Sequence, residues 1–192
     1  MHPKRRGAPL TEAFVRSLGA LNAEAVVAGT REETERALRE IVGRRRPSFT
    51  VLAGLPPEPE EAARAAVGDG LAVAERLAPD EAPGVISKAD LAITWAAYGV
   101  AEEGAVVELA CDDSLRLASS LPVHHVVLLS ARKILPRLED GMVAVGRDVA
   151  SAARKPVATF ISGPSRTADI EGRLLYGAHG PHSLCVMVLG WI

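Results

Sequence analysis

The run Ser162-Gly163-Pro164-Ser165-Arg166-Thr167-Ala168-Asp169 stands between an apolar stretch at 157–161 and a segment, 168–175, that reads as a helix. Peptide N–H groups and hydroxyls gathered at the positive end of a helix dipole favour an anion. Arg166 would add a charged donor for a carboxylate or phosphate. The same residues equally fit a turn in which Ser165 or Thr167 only caps the helix. Downstream, His179-Gly180-Pro181-His182 and Cys185 present two imidazoles and a thiol at a spacing that zinc accepts. Against zinc, Gly-Pro makes the local geometry irregular, no fourth ligand is assigned, and Cys185 lies in an apolar run that suits a buried free thiol. A turn with structural histidines is the better reading, and no metal is assigned. His124 and His125 are adjacent on an expected strand, so their side chains point to opposite faces and one at most serves a given pocket. Glu102 and Glu103, ahead of Gly104, offer either a general base or nucleophile, with Glu102 the candidate, or a pair of solvated turn acids.

The elements that must position these residues alternate. Thr11 is placed to cap a helix over 12–21, and an apolar strand follows at 25–28. Thr30 with Glu33 forms a capping box for a helix to residue 44. A strand at 49–53 leads to Pro56, Pro57 and Pro59, which open an Ala-rich helix expected to run to residue 77. The apolar runs 89–101 and 105–111 read as a hairpin whose turn is Glu102-Glu103-Gly104. Asp113 or Ser114 caps a short helical turn, 123–129 is a strand, 136–142 is helical, and 157–161 and 183–189 are strands. Strand–helix alternation with an internal hairpin implies an α/β fold with a mixed sheet and helices on its faces. Residues 1–9 form a basic arm ahead of one domain over 10–192.

Composition narrows the function classes. With 192 residues, 48% hydrophobic and 24% charged, and a net charge of -2, the chain is an ordinary globular protein with no basic stripe for nucleic acid. No P-loop lysine follows the Ser-Gly-Pro-Ser loop, and no GxGxxG follows a strand, so nucleotide binding is not supported. The two cysteines are too few for a disulfide framework or for the four thiolates of an iron–sulfur cluster. No cofactor is therefore assigned to this chain. No apolar run reaches the ~18 residues of a membrane span. Glu12 and Arg16 interrupt what would be a signal-peptide core after Lys4, Arg5 and Arg6, which points to the cytoplasm.

The stretch from Ile161 through Glu171, followed by Gly177-Ala178-His179-Gly180-Pro181, closely resembles the C-terminal pattern of the bacterial LUD-domain family, the lactate-utilisation protein C-like chains. The likeness extends upstream through Tyr98 to Gly104, Arg116 to His125 and Lys133 to Asp140, covering roughly 85–190. It implies an open α/β/α sandwich similar to sugar-phosphate isomerases and coenzyme A transferases. It also implies a small-anion-binding accessory role in oxidation of L-lactate to pyruvate, alongside partner proteins that hold iron–sulfur clusters. The alternative it implies is a free-standing isomerase or acyl/CoA-transferase-like enzyme using Glu102, since related transferases acylate a glutamate near a similar turn. The chain departs from the family hairpin at Ala97, Glu103 and Ala105, where an acid and two hydroxyls are missing. Cys185 also replaces a common histidine. The resemblance places the pocket at Ser162, Gly163, Ser165, Arg166, Thr167 and Asp169, with His179, His125 and Glu102.

Overall fold

A computed structural model describes residues 8–168, 174–176 and 179–192. Its frame is a sheet of β1 (Glu24–Ala28), β2 (Thr50–Ala53), β3 (Leu71–Val73), β4 (Leu91–Ala96), β7 (His124–Ser130) and β12 (Ser183–Leu189), in the order β1-β12-β7-β4-β2-β3 and parallel throughout. The runs LCVMVL and HVVLL are continuously apolar because both faces of a parallel sheet are covered. Alternation sorts them. Cys185, Met187, Leu189, Val126 and Leu128 pack toward α2 (Arg31–Arg45) and α3 (Pro57–Val67). Leu184, Val186, Val188, Val127 and Leu129 face the other way, onto Phe14 and Leu18 of α1 (Ala8–Ala20).

On that second face lie α4 (Ala82–Ile86), α5 (Asp113–Ser120) and a smaller sheet, β8-β5-β6-β9. In it β5 (Tyr98–Val100) is antiparallel to β6 (Ala105–Ala110) and parallel to β8 (Ile134–Leu135), while β9 (Val157–Ile161) is antiparallel to β6. The mixed pairing expected for the fold therefore belongs to this second sheet. Beyond it α6 (Leu138–Ser151) packs Val145 against Val100, Ala105 and Val107. Among the described residues no helix is long and apolar enough to cross a membrane.

Several boundaries differ from the sequence reading. The first helix begins at Ala8, so Thr11 lies inside it. The helix expected to reach residue 77 stops at Val67, because Gly68 and Gly70 take φ of 73° and 83°, and a short strand follows. The run 89–101 is divided between β4 and β5, two strands of different sheets, so only the second half forms the hairpin. Of the helix expected over 168–175, residues 169–173 lie outside the described residues, and the residues on either side of them are in strands. β10 (Arg166–Ala168) pairs antiparallel with β11 (Leu174–Tyr176), with Arg166 opposite Tyr176. Other signals hold: the Glu33 N–H donates to Thr30 Oγ1 at 3.2 Å, and the Gly29 N–H donates to Glu33 Oε2 at 2.6 Å.

Gly104 turns the β5–β6 hairpin with φ of 58°, and a Cβ there would sit 2.7 Å from Leu18 N and Ser17 C of α1. Both a left-handed backbone and a backbone clash oppose any side chain. Gly104→Ala should lose about 2 to 4 kcal/mol of stability, read as a lowered urea midpoint.

Candidate functional site

The helix α5 begins where Asp112 accepts the Ser114 N–H at 2.9 Å, and its flank borders a cavity of about 510 Å³. Arg116, Ser119 and Ser120 line it from the helix and Thr159 from β9. Arg116 Nη1 is 2.8 Å from Asp113 Oδ1, which leaves most of the guanidinium donors for other partners. Both serine hydroxyls return to the Arg116 carbonyl, at 3.2 and 2.7 Å.

The loop singled out in the sequence meets this helix at its C-terminal end. The Ser165 N–H donates to the Pro181 carbonyl at 3.1 Å, and the His179 N–H donates to Ser165 Oγ at 3.4 Å. Gly180 lies between them and α5: a Cβ on it would be 3.3 Å from Ser165 Cβ and 3.9 Å from the Ser120 carbonyl. Gly163 adopts φ of 86°, and the Ser162 hydroxyl donates to the Glu103 carbonyl at 3.2 Å. Ser165 and His179 are thus brought together, while Ser162 turns to the β5–β6 hairpin at Glu103. Arg166 and Thr167 continue from the loop on β10, and Asp169 lies outside the described residues. Ala168 stands in β10 rather than at a helix start, and the residues that follow it, 169–173, lie outside the described residues.

Glu102 stands apart. It is 54% exposed at the hairpin turn, 3.8 Å from Arg137. The possible zinc ligands also separate. Cys185 is buried in β12 with its thiol pushed up to about 12 by burial, whereas His179 and His182 are exposed. Among the described residues no group of three or more potential ligands gathers.

His125 has a role that its sequence position did not reveal. It is 1% exposed, and its Nε2 lies 2.7 Å from Thr94 Oγ1, which is also 2.6 Å from Oε1 of Glu108, likewise 1% exposed. His124 points the other way and reaches Ser183 Oγ at 2.8 Å. Burial raises the Glu108 carboxyl to about 7, opposed by the Thr94 and Ser119 hydroxyls, and lowers His125 to about 3. The 3.6 Å approach of His125 to Glu108 is therefore no ion pair, because the imidazole is neutral. Among the described residues Glu108 Oε2 has no hydrogen-bond partner. Thr159 is the ladder partner of Glu108 and lies on the same face of its sheet. The cavity wall formed by Ser119 and Thr159 therefore adjoins the buried carboxyl.

The LUD domain family model matches residues 11–189. The chain belongs to the LUD domain family. Lactate utilization protein C of Halalkalibacterium halodurans is 38% identical over 103 residues, 53% of this chain and 45% of that protein. The protein of the same name from Bacillus subtilis is 33% identical over 95 residues, 49% of this chain and 40% of that protein. The chain spans about half the length of the curated relatives it matches. The crystal structure of a DUF162 family protein from Deinococcus radiodurans superposes with a TM-score of 0.69 at 21% identity, covering 95% of this chain and 98% of that one, which establishes the shared fold.

In this LUD domain the arrangement offers two chemistries side by side: a guanidinium with hydroxyls for an anion, and a buried carboxyl that exchanges a proton near neutrality. The proton has a measurable consequence. Glu108 titrates near its ordinary 4.5 when unfolded and about 7 when folded, so the folded state holds the extra proton and stability falls as pH rises through that window. His125 titrates near 6.5 unfolded and about 3 folded, so stability is lost as pH falls below 6.5. The slopes, each up to about 1.4 kcal/mol per pH unit, oppose one another between pH 4.5 and 6.5. Glu108→Gln leaves the His125 slope alone, and the variant should lose about 2 kcal/mol between pH 6.5 and 4.5 in urea titrations. A pH profile matching the parent's would deny Glu108 its raised proton affinity.

Proposed function

We propose that this LUD domain is a cytoplasmic accessory subunit of lactate utilisation, which binds a small carboxylate or phosphate and works with iron–sulfur partner proteins in oxidation of L-lactate to pyruvate. The observation that carries the anion reading is the cavity beside α5, where Arg116 and the hydroxyls of Ser119, Ser120 and Thr159 converge next to the Ser165–His179 turn. A guanidinium binds a carboxylate with two parallel N–H donors, and the Thr159 hydroxyl can add a further one; the protons of Ser119 and Ser120 go to the Arg116 carbonyl. The lactate assignment draws on the names of the relatives. The partner assignment draws on cysteine chemistry: exposed Cys111 and buried Cys185 cannot supply four thiolates, so a cluster would come from another chain.

Calorimetric titration with L-lactate, pyruvate and inorganic phosphate tests the site. One of them should bind at millimolar or lower concentration, and Arg116→Ala should weaken it about tenfold, the loss of one charge-assisted contact of ~1.5 kcal/mol. Absence of binding to well-folded protein at 10-fold higher ligand would sink the anion reading. Lactate-dependent dye reduction should require added iron–sulfur partner proteins. Robust reduction by the purified chain alone would refute the accessory role.

A further inference from the structure

A second cavity, of about 600 Å³, lies at the opposite end of the parallel sheet. It opens where the chain leaves the carboxyl ends of β2, β4 and β7, and is lined by Pro56, Pro57, Pro59, Trp95, Tyr98 and Lys133. After β2 the chain turns toward α3 on one face. After β4 it turns into the second sheet on the other. Divergence of neighbouring connections opens the crevice in which open α/β sheets hold ligands.

The walls define what fits. The helix α3 points its N-terminus here, but Pro57 and Pro59 have no N–H and the Glu60 N–H is used by the Pro56 carbonyl at 2.9 Å. Glu58 adds a negative charge to the same rim. A polyphosphate, which needs a cradle of N–H donors, is excluded on both counts. Two acids, Glu58 and Asp148, and one cation, Lys133, line the cleft; the Asp148 carboxylate is engaged by the Tyr98 hydroxyl, and Lys133 Nζ lies 5.5 Å from the centre of the Tyr98 ring, with no acid within ion-pair distance among the described residues. Tyr98 is itself fixed, its hydroxyl donating to Asp148 Oδ2 at 2.6 Å. The volume is that of sites for organic ligands well beyond three carbons.

We propose that this cleft binds a ring-bodied organic monoanion, its flat apolar body against the prolines and Trp95 and its charge on Lys133. The site is separate from the α5 cavity and does not rest on the function proposed above. The test uses the full chain and 8-anilinonaphthalene-1-sulfonate as probe. Fluorescence titration should show one saturable site, displaced by 2-naphthoate but not by equal concentrations of ATP or L-lactate. Lys133 is exposed, so Lys133→Met should keep the parent's circular dichroism and weaken the probe about tenfold. Arg116→Ala should bind the probe as the parent does, which separates failure of this site from failure of the anion cavity. Displacement by ATP, several weak sites, or equal affinity in the Lys133→Met protein would overturn the proposal.

Discussion

One buried hydroxyl sets the conditions for the interior. Thr94 Oγ1 bridges a carboxyl on the second sheet and an imidazole on the first, and it has a single proton to give. When Glu108 is protonated toward Thr94, the threonine can donate to His125. When Glu108 is ionised, the threonine must donate to the carboxylate, and His125 must supply the other proton. The direction of hydrogen bonding across the two sheets is thus tied to one titration. A buried carboxylate with an unpartnered oxygen is costly, and this is why the proton is held to about 7. The neutral imidazole follows from the same burial, so between about pH 3 and 7 the two groups are uncharged together and form no salt bridge.

The parallel sheet has two ends of contrasting chemistry. At the amino ends of β7 and β12 the turns that precede them meet the C-terminal end of α5, and serine hydroxyls and backbone groups collect there. At the carboxyl ends the prolines of α3 and the rings of Trp95 and Tyr98 make an apolar wall bordered by one cation, Lys133, and two acids, Glu58 and Asp148. Proline removes donors where a helix N-terminus would otherwise attract phosphate, whereas at the other end the donors are those of the Arg116 guanidinium, set against the negative C-terminal end of α5. Each end therefore selects by the donors it lacks as much as by those it has.

The parts of the fold that the sequence disclosed are those in which one signal acts without competition. The strands at 157–161 and 183–189 are bounded as the β-branched and apolar runs indicated, and Thr30 caps as its spacing required. Where two readings competed, tertiary pairing decided. Residues flanking 169–173 support a helical reading locally, yet β10 and β11 pair with each other. Gly68 and Gly70 marked the end of α3, but an alanine-rich stretch masked it. In the candidate site the loop, His179 and His125 were visible as residue types. Glu108 and Thr94 were not, because a glutamate in AVVELA reads as the solvent side of an alternating strand. Only the stacking of a second sheet turns that side inward. The available signal was their shared pattern: a polar residue within an otherwise apolar run, on two strands that the hairpin reading had brought near each other.

Strand β4 ties the two ends together. Successive residues of a strand point to opposite faces, so Thr94 enters the polar cluster while Trp95, next in sequence, lines the cleft beyond α3. A shift of β4 by one residue would exchange the two, placing an indole against Glu108 and a hydroxyl in the apolar wall. The register is fixed on both sides, by Leu52 opposite Ile93 on β2 and by Val126 opposite Ile93 on β7. These neighbours are fully or nearly fully buried. The packing of one strand therefore places both the buried polar cluster and the indole wall of the cleft. A ligand in the cleft beyond α3 meets an indole whose position the hydrophobic core has already determined.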